Sequence, residues 1–177
     1  MVRNACIALG AIVLLSCSAS KSNQANAASN SVAASAEART PAPPKLTHDQ
    51  ALALMKQRNH NMKTMGDAAG KVGKSLQSGS PDLNVIRQAA ARIASLAPKV
   101  VSWFPAGTGP DVGKTRAKAE IWQKPEDFAS KAHDLSQAAT DFNDAAKLGD
   151  INRIKATFGA MGKSCKACHD LYRAPEH

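Results

Sequence analysis

Residues 151–173, INRIKATFGAMGKSCKACHDLYR, determine the fold that this chain is predicted to adopt. Apolar residues and both cysteines of this segment recur in steps of three and four, at Ile151, Ile154, Phe158, Met161, Cys165, Cys168 and Tyr172. This spacing predicts an amphipathic helix with one buried face. Asp150 stands where a helix N-cap is expected. We therefore expect both thiols to lie on the face that packs into the core.

The pentapeptide at 165–169, CKACH, has the spacing of a c-type haem attachment site. Each of the two thiols can add to one vinyl group of a haem, and His169 can bind the iron one helical turn after Cys165. A zinc site would need four cysteine or histidine ligands, and the sequence has no second pair at ligand spacing. A thioredoxin-like redox pair would follow a strand, whereas this segment is predicted to be helical. One covalent haem c per chain is the expected cofactor.

Three further amphipathic helices are predicted upstream. Thr47 or Asp49 can cap the first, the sequence SPD at 80–82 starts the second, and Pro125 and Gly149 bound the third. The predicted inner positions are Ala51, Met55, Arg58, Met62, Met65, Ala69 and Val72, then Ile86, Ala89, Ile93, Leu96 and Val100, then Phe128, Ala132, Leu135, Ala139, Phe142 and Ala146. Short connections within each pair of helices favour an all-α, antiparallel four-helix bundle with the haem in its core.

Residues 102–123 are rich in proline and glycine and are predicted to form a long loop. Its apolar side chains offer a means of anchoring it to the bundle, and these are Trp103, Phe104, Ile121 and Trp122. A loop of this length in a small domain usually has either a function or a packing anchor, and the sequence leaves that choice open.

The composition supports a helical protein. Hydrophobic residues make up 44% of the chain and aromatic residues only 4%, and runs rich in β-branched residues are missing. The formal net charge is +9, but the basic residues are dispersed and lack interleaved aromatic residues. We therefore expect a solvated basic surface and no nucleic-acid partner.

The N-terminal part has the features of an export signal. Arg3 precedes a short apolar stretch and then small residues, which predicts a signal peptide over 1–16 and a periplasmic location. The sequence LLSC at 14–17 is similar to a lipobox, so Cys17 is expected to carry a lipid and to provide the only membrane contact. The alternative is ordinary cleavage near Ala27 or Ala28. Residues 17–46 are predicted to be a flexible tether, and residues 47–177 the folded domain.

Spacing alone does not identify the residue on the distal side of the haem. His60 and His133 fall beside the inner stripes, and His48 and His177 stand at element ends, so surface positions are expected for all of them. Met55, Met62 and Met65 are all predicted to face the bundle interior. Methionines at helical spacing are usually gap-filling core residues, and the periodicity gives no preference among these three.

Four sequence features together resemble the class II cytochromes c, the cytochrome c-prime family. They are SCKACHDLYR at 164–173, AAKLGD at 145–150, FPAGTG at 104–109 and TRAKAEIW at 115–122. The resemblance covers the chain from about Leu46 to Arg173. It implies a periplasmic antiparallel four-helix bundle with the haem attached to the last helix.

The resemblance also implies roles for two residues of the first helix. Arg58 corresponds to a recurring arginine near the haem propionates, and Met62 to the residue four positions later that covers the distal haem face. The sequence around Met62, followed by Lys63 and Gly66, resembles the low-spin branch, in which this methionine binds iron. Asn59 stands where the high-spin branch commonly has glutamine, although a methionine at the covering position occurs in that branch too.

The expected function is therefore that of a one-electron carrier that exchanges electrons with redox partner proteins. The alternative is a five-coordinate haem protein that binds or sequesters small gases such as nitric oxide. No enzyme activity is expected, because the carboxylates of the third helix fall mainly on its outward face. The resemblance makes a homodimer through the first two helices an expectation as well.

Overall fold

The computed structural model of the protein describes residues 45–175. Four long helices make up most of this part: α1 (His48–Gln77), α2 (Leu83–Leu96), α4 (Pro125–Leu148) and α5 (Ile151–Tyr172), with a short α3 (Glu120–Gln123) before α4. The predicted signal segment, Cys17, the tether up to residue 44, and His177 lie outside the described residues.

Side-chain caps set where the long helices begin. The Thr47 hydroxyl accepts from the Gln50 backbone N–H at 3.2 Å, and the Gln50 side chain accepts in return from the Thr47 N–H at 2.9 Å. The Asp82 and Asp150 carboxylates cap α2 and α5, and both residues have an extended backbone conformation. Gly149 ends α4 with a φ of +79°, a left-handed conformation that favours glycine.

The second helix differs from its prediction at both ends. It was expected to extend to Val100, but α2 ends at Leu96 and continues as two 3-10 turns, Ala97–Lys99 and Val101–Trp103. Pro98 lacks the backbone N–H that another α-helical turn would need. Val100 is nevertheless buried, with 1% of its surface exposed. Pro81 precedes the N-cap instead of lying in the first turn.

The helices pack as a chain of neighbours, and the predicted all-α four-helix bundle is confirmed. Helix α1 packs on α2, α2 on α4, and α4 on α5, whereas α1 and α5 do not form an extensively packed pair. The centre of the core is fully buried and includes Val72, Ile86, Ala139, Phe142 and Ile154. The weakest seam of the bundle is therefore the one between its first and last long helices.

Aromatic packing anchors the connection between α2 and α4, whereas the sequence had left open whether this segment has an anchor or a function. Trp122 donates its indole N–H to the carbonyls of Phe104 and Pro105, at 3.1 Å each, and its ring lies 6.2 Å from that of Phe104. Residues 120–123 form a helical turn within the segment expected to be loop. An antiparallel bridge joins Ala117 to Arg173, just after α5.

Within residues 45–175, none of the helices combines the length and apolar character that crossing a membrane requires.

Candidate haem site

Cys165 and Cys168, the predicted attachment residues, lie on α5 and are half-buried. They pack against the main core together with Met62 and Phe158, which are also partly buried. Burial raises the pKa of both thiols, and for Cys168 the neighbouring Cys165 adds to this effect. In the part of the chain described, no three histidine, cysteine or acidic side chains are grouped as a metal site would need.

His169 lies at the end of α5, one turn beyond Cys165, and is half-buried. Its pKa is lowered, mainly by burial and also by the positive charges of Arg173 and Arg116. The imidazole is therefore neutral at pH 7, which is the form that binds iron. One side of His169 faces an open groove of about 400 Å³.

The methionines of the described residues differ in how deeply their side chains are buried. Met55, Met65 and Met161 are buried, with 7%, 9% and 1% of their surface exposed. Met62 is only partly buried, at the edge of the same core to which the two thiols belong. Helices α1 and α5 are not extensively packed on each other. Two cysteines and a neutral imidazole are the side chains that attachment of a covalent haem needs.

The histidines of the described region other than His169 lie at the surface. His48, His60 and His133 are all exposed, so the surface positions predicted for these three are confirmed. None of them contributes a side chain to the half-buried stripe of α5.

Arg58 is buried, with 4% of its surface exposed, and contacts the loop that follows α2. Its two terminal nitrogens donate to the Thr108 carbonyl at 3.2 and 3.1 Å, to the Thr108 hydroxyl at 3.1 Å and to the Thr115 hydroxyl at 3.1 Å. Its guanidinium carbon lies 4.6 Å from the centre of the Phe104 ring and 5.8 Å from that of Trp122. Burial lowers the pKa of Arg58. The role toward the haem propionates stays a prediction.

Sequence reasoning missed the partners of Arg58, above all Thr108, which is fully buried. A signal was present, because a cation stood among the predicted inner positions of α1 and a buried cation needs partners. Sequence reasoning also missed the hydrogen bond that the Tyr172 hydroxyl donates to Asp127. This bond connects the end of α5 to the first turn of α4, next to the attachment site.

A four-helix bundle whose last helix carries two cysteines and a histidine in the CxxCH arrangement belongs to the bundle class of c-type cytochromes. The family model described as Cytochrome C' matches residues 53–173. This chain belongs to the cytochrome c' family, and it carries one covalent haem c.

Curated relatives agree with this assignment. The chain is 31% identical to a cytochrome c' of Pararhodospirillum photometricum over 122 residues, which cover 68% of this chain and 96% of the relative. It is 34% identical to a cytochrome c' of Allochromatium vinosum over 113 residues, 62% of this chain and 73% of that one. It is also 32% identical to a cytochrome c-554 of Cereibacter sphaeroides over 126 residues, 68% and 92% of the two chains.

Solved structures share the fold. The cytochrome c' of Thermochromatium tepidum superposes with a TM-score of 0.67 at 31% identity, over 75% of this chain and all of that one. A nitric oxide complex of a cytochrome c prime variant from Alcaligenes xylosoxidans superposes with a TM-score of 0.64 at 26% identity, again over 75% of this chain and all of that one.

Proposed function

We propose that this chain is a periplasmic one-electron carrier in which His169 and Met62 both bind the iron of its haem. When bound, the haem supplies an iron that gains or loses a single electron. The observation that supports the proposal is the position of Met62, half-buried at the edge of the core that also contains the attachment thiols. Two protein ligands keep the surroundings of the iron constant during electron transfer and leave no position for a substrate or a gas.

The burial of the other methionines supports the choice of Met62. Met55 and Met65 lie on the same helix, but with 7% and 9% of their surface exposed they are part of the packed core. Moving either of them onto an iron would open a cavity in the core, at a cost of about 2–5 kcal/mol for a methionine-sized hole. Met62 can turn toward the seam between α1 and α5 at a smaller cost.

Absorption spectroscopy of the holoprotein tests this assignment. We expect the oxidised protein to show the weak near-infrared charge-transfer band of ferric haem bound to a methionine sulfur. The band should disappear in Met62→Ala, whereas the matched variant Met65→Leu should keep it. If the band is missing from the wild-type protein and Met62→Ala leaves the spectrum unchanged, Met62 is not a ligand.

A second function is supported by one observation among the relatives. Solved structures of the Alcaligenes xylosoxidans protein include variants with bound nitric oxide. In that case Met62 would only cover the distal face, and the chain would bind or sequester small gases. The discriminating measurement is the reduced spectrum with carbon monoxide. A prompt shift in the wild-type protein supports gas binding, and an unchanged spectrum supports the carrier.

We also propose that the chain is not an enzyme. Asp134, Asp141 and Asp144 on α4 are exposed, and solvated carboxylates of this kind are a poor basis for acid-base catalysis.

The membrane contact is proposed to be a lipid on Cys17, which lies outside the described residues. A Cys17→Ser protein should be released in soluble form from the periplasm, whereas unchanged fractionation with membranes would refute the lipid. Self-association is proposed as well, since one solved relative is a cytochrome c' with ligand-controlled dimer dissociation. Sedimentation of the purified holoprotein with and without carbon monoxide tests whether this chain forms such a dimer.

A further inference from the structure

A basic groove opens beside His169, at the end of α5. We call it the His169 groove, and its volume is about 400 Å³. Its charged and titratable lining residues are Arg116, Lys118, His169, Asp170 and Arg173, with residues 174–175 completing the wall. Three of these side chains are permanent cations and one is an anion. Among the described residues, the lining of the groove therefore has more cations than anions, and it includes His169, the predicted iron ligand.

The backbone holds the two walls of the groove together. The Lys118 N–H donates to the Tyr172 carbonyl at 3.0 Å, and the Ala174 N–H donates to the Arg116 carbonyl at 2.8 Å. The Arg116 side chain adds a bond from Nε to the Ala174 carbonyl at 2.9 Å. Because these bonds pair the segment 116–118 with the end of α5, the cations of both walls keep a fixed spacing. Such preorganisation lowers the entropy cost of binding a partner.

Among the described residues, the acidic side chains near the groove are Asp170 and Glu120, and each is paired with a lysine at the surface. Asp170 is paired with Lys166 at 2.5 Å, with both side chains largely exposed, at 57% and 75%. Lys118 lies 3.9 Å from Glu120, also at the surface. Exposed pairs of this kind are weak and exchange readily with other partners. The Arg173 side chain is exposed at the mouth of the groove.

We propose that the His169 groove is the docking site for an acidic surface segment of a protein redox partner, whose carboxylates pair with Arg173 and Lys118. This inference rests on the proposed electron-carrier function. A partner seated there would contact His169, the predicted iron ligand, so the electron would have a short path between the two proteins. Charge complementarity raises the rate of encounter more than it raises affinity.

Reaction with small charged oxidants tests the location of docking. Ferricyanide takes one electron from the reduced holoprotein and becomes ferrocyanide, and its negative charge makes it a probe of positive surfaces. The test variant is Arg173→Glu, and Lys118→Glu repeats the test at a second residue. The matched control is Lys155→Glu. Lys155 is an exposed lysine of α5 and lies about 21 Å from His169 along the helix, at 1.5 Å of rise per residue.

At an ionic strength of about 10 mM, screened Coulomb interaction predicts that Arg173→Glu slows the reaction with ferricyanide about thirtyfold and that Lys155→Glu slows it about threefold. With a cationic oxidant, tris(phenanthroline)cobalt(III), the sign of the effect should reverse, so that both variants react faster and Arg173→Glu gives the larger acceleration. Equal effects of the two variants, or no effect of Arg173→Glu, would overturn the proposal.

Binding of hexaglutamate to the reduced holoprotein, followed by amide NMR, gives a readout that needs no electron transfer. Shifts should be largest at residues 116–118 and 173–175 and should be lost in Arg173→Glu. Shifts centred on another lysine-bearing face would overturn the proposal. The carbon monoxide spectrum tests the carrier function, and the comparison of variants tests whether partners dock at the His169 groove. Either proposal can therefore fail while the other stands.

Discussion

Replacement of Arg58 should destabilise the protein by detaching the loop after α2. In Arg58→Met the apolar stem is kept, but the four hydrogen bonds at 3.1–3.2 Å and the contact with the Phe104 ring are lost. The Thr108 carbonyl, in a residue with no exposed surface, loses its cationic donor. Hydrogen bonds to a charged group contribute about 1.5–3 kcal/mol and an orphaned buried acceptor costs about 1–3 kcal/mol. Relief from burying the charge offsets part of this.

We therefore expect Arg58→Met to lower the free energy of unfolding by about 3 kcal/mol, which corresponds to about 10 °C in Tm for a chain of this size. Arg58→Lys should lose about 2 kcal/mol, because an ammonium group keeps the charge but cannot bridge both threonines. Urea and thermal denaturation of the oxidised holoprotein, followed by circular dichroism, measure these values.

The matched control is Arg87→Met, since Arg87 is exposed and makes one bond, from Nε to the Ala146 carbonyl at 3.1 Å. It should cost less than about 1 kcal/mol. Trypsin should cleave the loop at Lys114 or Arg116 faster in Arg58→Met than in the control. If Arg58→Met costs no more than Arg87→Met and loop cleavage is unchanged, Arg58 does not anchor the loop. A shift in reduction potential alone would then favour the role toward the propionates.

Other predictions concern stability and haem attachment. Burial and a hydrogen bond raise the pKa of Tyr172 to about 12. Because the unfolded chain loses this proton near pH 10, the stability that Tyr172 contributes below pH 10 is lost between pH 10 and 12. In Tyr172→Phe the urea midpoint should therefore depend less on pH over that range. Gly149→Ala should lower the free energy of unfolding by about 1 kcal/mol in urea denaturation, because Gly149 has a φ of +79°. Gly159→Ala should raise it by up to about 1 kcal/mol, because a Cβ at this position of α5 meets open space. Phe142→Ala, at a side chain with no exposed surface, should cost about 4 kcal/mol in the same assay. Replacing both attachment cysteines by alanine should remove the covalent haem from the intact mass.

Helix positions were predictable from the sequence because their causes are local. Apolar spacing of three and four identified the buried faces, and cap residues such as Thr47, Asp150 and Gly149 identified the ends. Pro98 indicated a possible helix end, but the apolar Val100 continued the helical spacing. The change to 3-10 turns was therefore not predicted. Burial and helix type are separate properties, so the spacing predicted the first and missed the second.

The contacts around the site were not predictable in the same way. Arg58 and Thr108 are 50 residues apart in the chain, and the loop conformation that brings them together has no periodicity to read. The His169 groove likewise depends on the bridge between Ala117 and Arg173. The haem-attachment residues were predictable because a single segment of helix contains them all.

The seam between α1 and α5 has a consequence for assembly. Helices α1 and α2 form one hairpin and α4 and α5 form another, each from segments close in sequence, and contact between α2 and α4 joins them. Contacts between nearby segments form quickly, so most of the bundle can be built before any prosthetic group arrives. Its outer helices can then part without breaking either hairpin, which leaves both sulfurs within reach of an attachment enzyme.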